Sequence, residues 1–194
     1  MSGVLSIRRR SSHEPPWGRT AVILDQEGLG LARAVVLAAS AVGRTLATAE
    51  SLTGGLLGAT VTSVPGASLI YRGGLITYAT DVKHTLGGVP AEVIEQDGAV
   101  AATTARALAE GAAKRCGADV GLALTGVAGP ATQEGQPPGT VWLGWSVTGG
   151  ESGAQRLHLV GGRPEIRAAA VREALELALA LVQGDVPQQD GAPE

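Results

Sequence analysis

The chain has 194 residues with 29 glycines, 32 alanines, no phenylalanine and 44% hydrophobic residues. This composition suits one domain with an aliphatic, closely packed core and excludes collagen and general disorder. A formal charge of −3 and a single cysteine, Cys116, exclude global attraction to nucleic acid or anionic membrane, an internal disulfide and a cysteine-rich zinc site.

The first twenty residues, with Arg8–Arg10 and Pro15–Pro16, have no periodic apolar pattern and are expected to be a mobile, solvated tail. They also lack the apolar block of a secretion signal, and no later apolar run approaches a bilayer span, so a soluble cytoplasmic protein is expected. From Gln26, the spacing Leu31, Val35, Ala39, Val42 predicts a helix that Gly43 stops. Residues 45–49 predict a short buried strand, residues 50–55 a tight turn, and residues 56–64 a helix closed by Pro65–Gly66. Residues 68–78 predict one or two strands bent at Gly73–Gly74, followed by a short polar helix over 80–86. Residues 90–96 and 100–116 predict further helices, the second rich in alanine. A buried strand over 118–124 leads into a long loop, 126–138, and then strands over 140–147 and 155–160. Residues 164–182 predict an amphipathic helix with Ile166, Ala170, Ala174, Leu177 and Leu181 on one face. The expected fold is one α/β domain over residues 21–184, a three-layer α/β/α sandwich on a mostly parallel, mixed sheet of five or six strands. Residues 185–194 form a second expected tail.

Three places can carry chemistry. The chain has only two lysines, Lys83 and Lys114, against thirteen arginines. Lys114 suits the end of a helix as a solvated cation. Lys83 leaves a strand and is open to two roles, a surface cation or a buried base, a role arginine cannot fill. Ser51 stands at a strand-to-helix turn with Thr53, Gly54 and Gly55. There it can expose its oxygen beside backbone N–H groups that bind an anion, or Ser51 or Thr53 can simply cap the helix. Thr125 and Gly126 close the next buried strand, where ligands of α/β sheets bind. No Walker loop and no strand–GxGxxG–helix unit occurs. His13, His84 and His158 are not spaced as a metal set, and His84 reads as helix surface.

Several separated stretches together resemble the CinA C-terminal domain family: Thr48-Ala49-Glu50-Ser51-Leu52-Thr53-Gly54-Gly55, Tyr71-Arg72-Gly73-Gly74-Leu75-Ile76-Thr77-Tyr78, Lys83, Leu124-Thr125-Gly126-Val127-Ala128-Gly129-Pro130 and Gly139-Thr140-Val141. The resemblance runs in order from about residue 29 to residue 182. It implies a stand-alone nicotinamide-nucleotide amidase that hydrolyses nicotinamide mononucleotide to nicotinate mononucleotide and ammonia, in pyridine-nucleotide recycling. It also implies a Ser–Lys mechanism with no metal or cofactor, and assembly into homo-oligomers.

Carried onto this chain, the resemblance makes Ser51 the nucleophile, Lys83 its general base and Tyr78 a phenol hydrogen-bonding within the dyad. Thr125 contacts substrate or polarises the amide, and Arg163 meets the phosphate, with Arg167 as the alternative. The backbone N–H groups around Thr53, Gly54 and Gly55 are the physically expected oxyanion donors. A lysine with an ordinary pKa is about 0.04% neutral at pH 7, so the base needs a shift of roughly three units, which burial supplies. One departure stands out. Family members commonly carry Lys-Pro before Gly-Thr-Val, where this chain has Gln136-Pro137-Pro138. Two other function classes remain open: a non-catalytic nucleotide-binding or regulatory module, and an interaction protein of DNA uptake or repair, which the negative charge disfavours.

Overall fold

The computed structural model describes residues 25–185. The expected first tail, including Arg8–Arg10, the first four residues of the expected domain, and all of the second tail but Asp185 lie outside the described residues.

Leu46–Glu50 (β1) is buried at all five positions, and Val120–Gly126 (β3) at all but the last. Strands that are apolar without alternation must be covered on both faces. Here β1 pairs in parallel with both β3 and Tyr71–Ile76 (β2). Thr140–Val147 (β4) runs antiparallel to β3, and Ser152–His158 (β5) antiparallel to β4. The five strands lie in the order β2-β1-β3-β4-β5, with only β4 reversed. This is the expected mixed, mostly parallel sheet, in its five-stranded form.

One face is covered by Gln26–Val42 (α1), Leu56–Thr62 (α2) and Arg163–Gln183 (α6). Val35 and Val36 of α1 and Ile166, Leu175 and Leu181 of α6 share a core with Leu122, Leu124 and Leu143 of the sheet. Each such fully buried side chain contributes about 1.5–3 kcal/mol. Arg172 of α6 also pairs with Asp25 and Glu27 at the start of α1, and this partnership holds the Asp25 carboxyl below its usual pKa.

Ala102–Cys116 (α5) covers the other face, with Ala91–Asp97 (α4) beside it. Its core is much smaller in side-chain size: Ala47, Ala49 and Ala123 meet Leu108, Ala109 and Ala112. A Cβ at Gly121 would overlap the Ala109 carbonyl, and one at Gly144 the Ala105 carbonyl. Part of the glycine excess therefore lets a helix backbone lie directly on strands.

Three local expectations change. Of the one or two strands expected over residues 68–78 there is one, β2, preceded by a 3₁₀ turn over Ala67–Leu69. Arg72 is the extra residue of a bulge, because Leu46 faces Tyr71 while Ala47 already faces Gly73. Thr125 and Gly126 belong to β3, since pairing with Trp142 and Val141 extends the strand two residues past its expected end. Finally, β5 begins at Ser152, three residues before the expected start, because β4 turns back onto it at once.

The register brings Ile76 and Leu124 level with Glu50. Three parallel strands thus deliver their next residues, Ser51, Thr77 and Thr125, to one edge of the sheet.

Candidate active site

Hydrogen bonding continues one step beyond β1. The Ser51 N–H donates to the Leu124 carbonyl at 2.9 Å and the Thr77 N–H to the Glu50 carbonyl at 2.8 Å. Ser51 is thereby fixed against both neighbouring strands before the chain turns. Buried Glu50 holds that turn from below. Its carboxylate accepts from the N–H groups of Gly55 at 2.9 Å, Leu57 at 3.1 Å and Gly58 at 2.8 Å. Arg167 holds it from above, donating to the Leu52 carbonyl at 3.1 Å and the Thr53 carbonyl at 2.6 Å. Arg167 thus braces the turn through two of its N–H groups, and Arg163 is the arginine that lines the cavity.

The short helix Thr80–Thr85 (α3) points Lys83 back under the turn. Lys83 is 2% exposed, the largest fully buried side chain among the described residues. Its Nζ donates to Ser51 Oγ at 2.9 Å, to the Thr77 carbonyl at 2.8 Å and to the Tyr78 carbonyl at 3.3 Å. Burial lowers its pKa to about 8, against the opposing field of the Glu134 carboxylate. About a tenth of such a lysine is neutral at pH 7. The neutral amine keeps two N–H donors for the carbonyls and turns its lone pair to the Ser51 hydroxyl.

Of the two roles open to Lys83, the surface one is excluded, and the geometry pairs it with Ser51. Ser51 is not the helix cap, because Glu50 satisfies the α2 amides. The Gly55 N–H is consumed by Glu50, and the Gly54 N–H donates to the Ser51 carbonyl at 3.1 Å. Neither is free to meet an oxyanion, contrary to the expectation for this turn. The N–H groups of Leu52 and Thr53 carry no hydrogen bond among the described residues.

Tyr78 differs from its expected place. The side chain is 58% exposed, and its Oη accepts from Arg163 at 2.9 Å rather than bonding within the dyad. Tyr78 reaches Lys83 through its backbone carbonyl instead. The Arg163 guanidinium also donates to the Gly129 carbonyl at 3.0 Å, spanning the mouth of the site. Thr125 differs as well: its buried hydroxyl donates to the Ala99 carbonyl at 2.7 Å. The Thr53 hydroxyl is buried without a partner among the described residues.

Ser51, Leu52, Tyr78, Arg163 and residues 126–133 enclose a cavity of about 280 Å³, near the lower bound for small-molecule sites. His84 lies outside it, its Nδ1 2.7 Å from the Val89 carbonyl. Gln136 also lies outside the cavity and accepts from Arg156 at 2.9 Å. Among the described residues no three His, Cys, Asp or Glu side chains converge to hold a metal ion. No helix among them is long and apolar enough to cross a membrane.

Residues 29–182 match the CinA C-terminal domain. The chain is 46% identical over 155 residues to a CinA-like protein of Frankia casuarinae, covering 77% of this chain and 35% of that one. It is 42% identical over 153 residues to a protein of Limosilactobacillus reuteri named for competence-damage inducibility, covering 78% of this chain. The match spans 37% of that relative's length. Among solved structures, the competence/damage inducible protein CihA of Agrobacterium tumefaciens superposes with a TM-score of 0.78 at 36% identity, covering 82% of this chain and 98% of that one. A CinA superfamily protein of Klebsiella pneumoniae gives a TM-score of 0.79 at 32% identity, covering 82% and 99%.

Proposed function

The chain belongs to the CinA C-terminal domain family, and on that premise we propose that it is a Ser–Lys amidohydrolase converting nicotinamide mononucleotide to nicotinate mononucleotide and ammonia. The observation that carries this reading is the buried 2.9 Å contact between Lys83 Nζ and Ser51 Oγ at the floor of a small-molecule cavity. A buried lysine with a depressed pKa and, among the described residues, no carboxylate in hydrogen-bond contact is unfavourable for stability, and poises the amine as a base.

In the proposed reaction neutral Lys83 takes the Ser51 hydroxyl proton as Oγ bonds to the carboxamide carbon. The carbonyl π electrons move onto oxygen, and the Leu52 and Thr53 N–H groups, unpaired among the described residues, are the proposed donors to it. As the tetrahedral centre collapses, the carbon–nitrogen bond breaks. The departing nitrogen takes the proton from the Lys83 ammonium and leaves as ammonia. Water then attacks the Ser51 ester and gives one proton to Lys83; as that proton passes to Ser51 Oγ the carbon–oxygen bond to Ser51 breaks, and the product leaves as the carboxylic acid, which loses its remaining proton to solvent. Arg163, at the cavity mouth, exchanges its neutral partners, the Tyr78 phenol and the Gly129 carbonyl, for the phosphate. Gln136 supplies no cation there, so the phosphate depends on Arg163.

The test is ammonia release from nicotinamide mononucleotide by the purified chain without added metal, expected in the native chain and lost in Ser51→Ala. Binding of the mononucleotide with no turnover over hours, followed calorimetrically, would replace the enzyme with a nucleotide-binding module.

A further inference from the structure

The 126–138 loop forms much of the cavity wall, and one residue ties it down. Glu134 has a backbone φ of +51°, the single positive value among described residues other than glycine. A glutamate adopts that left-handed conformation only where its surroundings over-determine it. What it gains is on the page. Its Oε2 accepts from the N–H of Ala99 at 2.9 Å and of Val100 at 3.1 Å, in the link between α4 and α5. The space for that carboxylate exists because residue 98 is glycine: a Cβ there would lie 2.6 Å from Glu134 Oε2. The same link is bound to the site from two other directions. Thr125, at the end of β3, donates to the Ala99 carbonyl at 2.7 Å, and Thr104 of α5 donates to the Gly98 carbonyl at 2.6 Å.

We propose that Glu134 is a positioning residue of the candidate site, latching the 126–138 wall onto the Ala99–Val100 backbone. Its carboxylate also carries a charge, and only what that charge accomplishes rests on the Ser–Lys reading. When Lys83 takes the Ser51 proton it becomes a buried ammonium, and the field of the Glu134 carboxylate favours that form at the moment it is made. The other charged or titratable groups around Lys83 are Asp81 and His84 on its own helix, Glu50 under the turn, and Tyr78 and Arg163 at the mouth. The Glu134 carboxylate opposes the effect of burial on Lys83.

Two variants of the full chain separate the latch from the charge. Glu134→Gln keeps an oxygen that accepts the two amides but removes the charge, whereas Glu134→Ala removes both. Hydrogen exchange at Ala99 and Val100 is expected to quicken about tenfold in Glu134→Ala, the equivalent of one lost hydrogen bond, and to stay near native in Glu134→Gln. The titration midpoint of Lys83, followed by NMR at its Nζ, is expected to fall in both variants. Native exchange rates in Glu134→Ala would overturn the latch. An unchanged or higher Lys83 midpoint in Glu134→Gln would overturn the electrostatic role. Neither measurement uses turnover, so failure to release ammonia would count against the proposed function and not against Glu134.

Discussion

The floor and the mouth of the cavity are built from opposite materials. At the floor, Ser51 and Lys83 are buried, and apart from their contact with each other both are bonded to backbone: the Ser51 N–H to the Leu124 carbonyl, and the Lys83 amine to the Thr77 and Tyr78 carbonyls. At the mouth, the long side chains of Tyr78 and Arg163 are exposed and meet each other and one loop carbonyl. Buried backbone hydrogen bonds cost the full desolvation of a polar group when broken, while exposed side-chain contacts exchange readily with water. The floor is therefore suited to keeping Ser51 Oγ and Lys83 Nζ at a constant separation, and the mouth to releasing one partner and taking another.

The largest expected effect lies at the floor. Lys83→Met should reduce turnover of nicotinamide mononucleotide by about 10²–10⁴-fold, the range for a lost general base. The same substitution should stabilise the protein at neutral pH by about 1–3 kcal/mol, because a buried cation is replaced by an apolar chain. The sign follows from the depressed pKa. Between about 8 and 10.5 the unfolded chain holds the Lys83 proton that the folded chain has lost, so native stability rises with pH across that window. The variant's advantage should be complete below pH 8 and gone above 10.5, as read by denaturant unfolding at several pH values. A variant less stable than the native chain at pH 7 would break the contrast between a floor held for chemistry and one held for stability.

At the mouth, Arg163→Ala should raise KM about 10–100-fold with a smaller change in kcat, as for the loss of charge-assisted hydrogen bonds to a phosphate. Equal losses in kcat and kcat/KM would move Arg163 into the reacting machinery. Smallest of all, Tyr78→Phe should change kcat/KM only a few-fold, because one exposed hydrogen bond to Arg163 is removed. A loss as large as that in Lys83→Met would return the phenol to the dyad.

Much of this was legible from residue order. The helix-stopping Gly43, the strand–turn–helix around Ser51 and the four-residue spacing of Ile166, Ala170 and Ala174 are local signals, and the elements formed where those signals stand. Lys83 stood out in a chain that otherwise prefers arginine. Glu50, quoted in the motif yet given no role, was missed; an acidic residue just ahead of a helix was the signal available for it. Glu134 gave no such signal, since a glutamate in a polar loop is indistinguishable by sequence from a solvated one. The partners of Tyr78 and Thr125 were also beyond reach, because Arg163 and Ala99 are brought to them by strand order and loop path.

By itself, then, the order of residues determined an α/β chain with an aliphatic core, a serine at a strand-to-helix turn and one lysine in an unusual place, because helix stops, apolar spacing and turn residues act over a few positions. Only the tertiary structure decided which functional groups share a space. The level ends of three parallel strands set Ser51 beside Thr77, and burial beneath that turn lowered the pKa of Lys83. Those outcomes depend on pairing register and desolvation, which are properties of residues far apart in the chain.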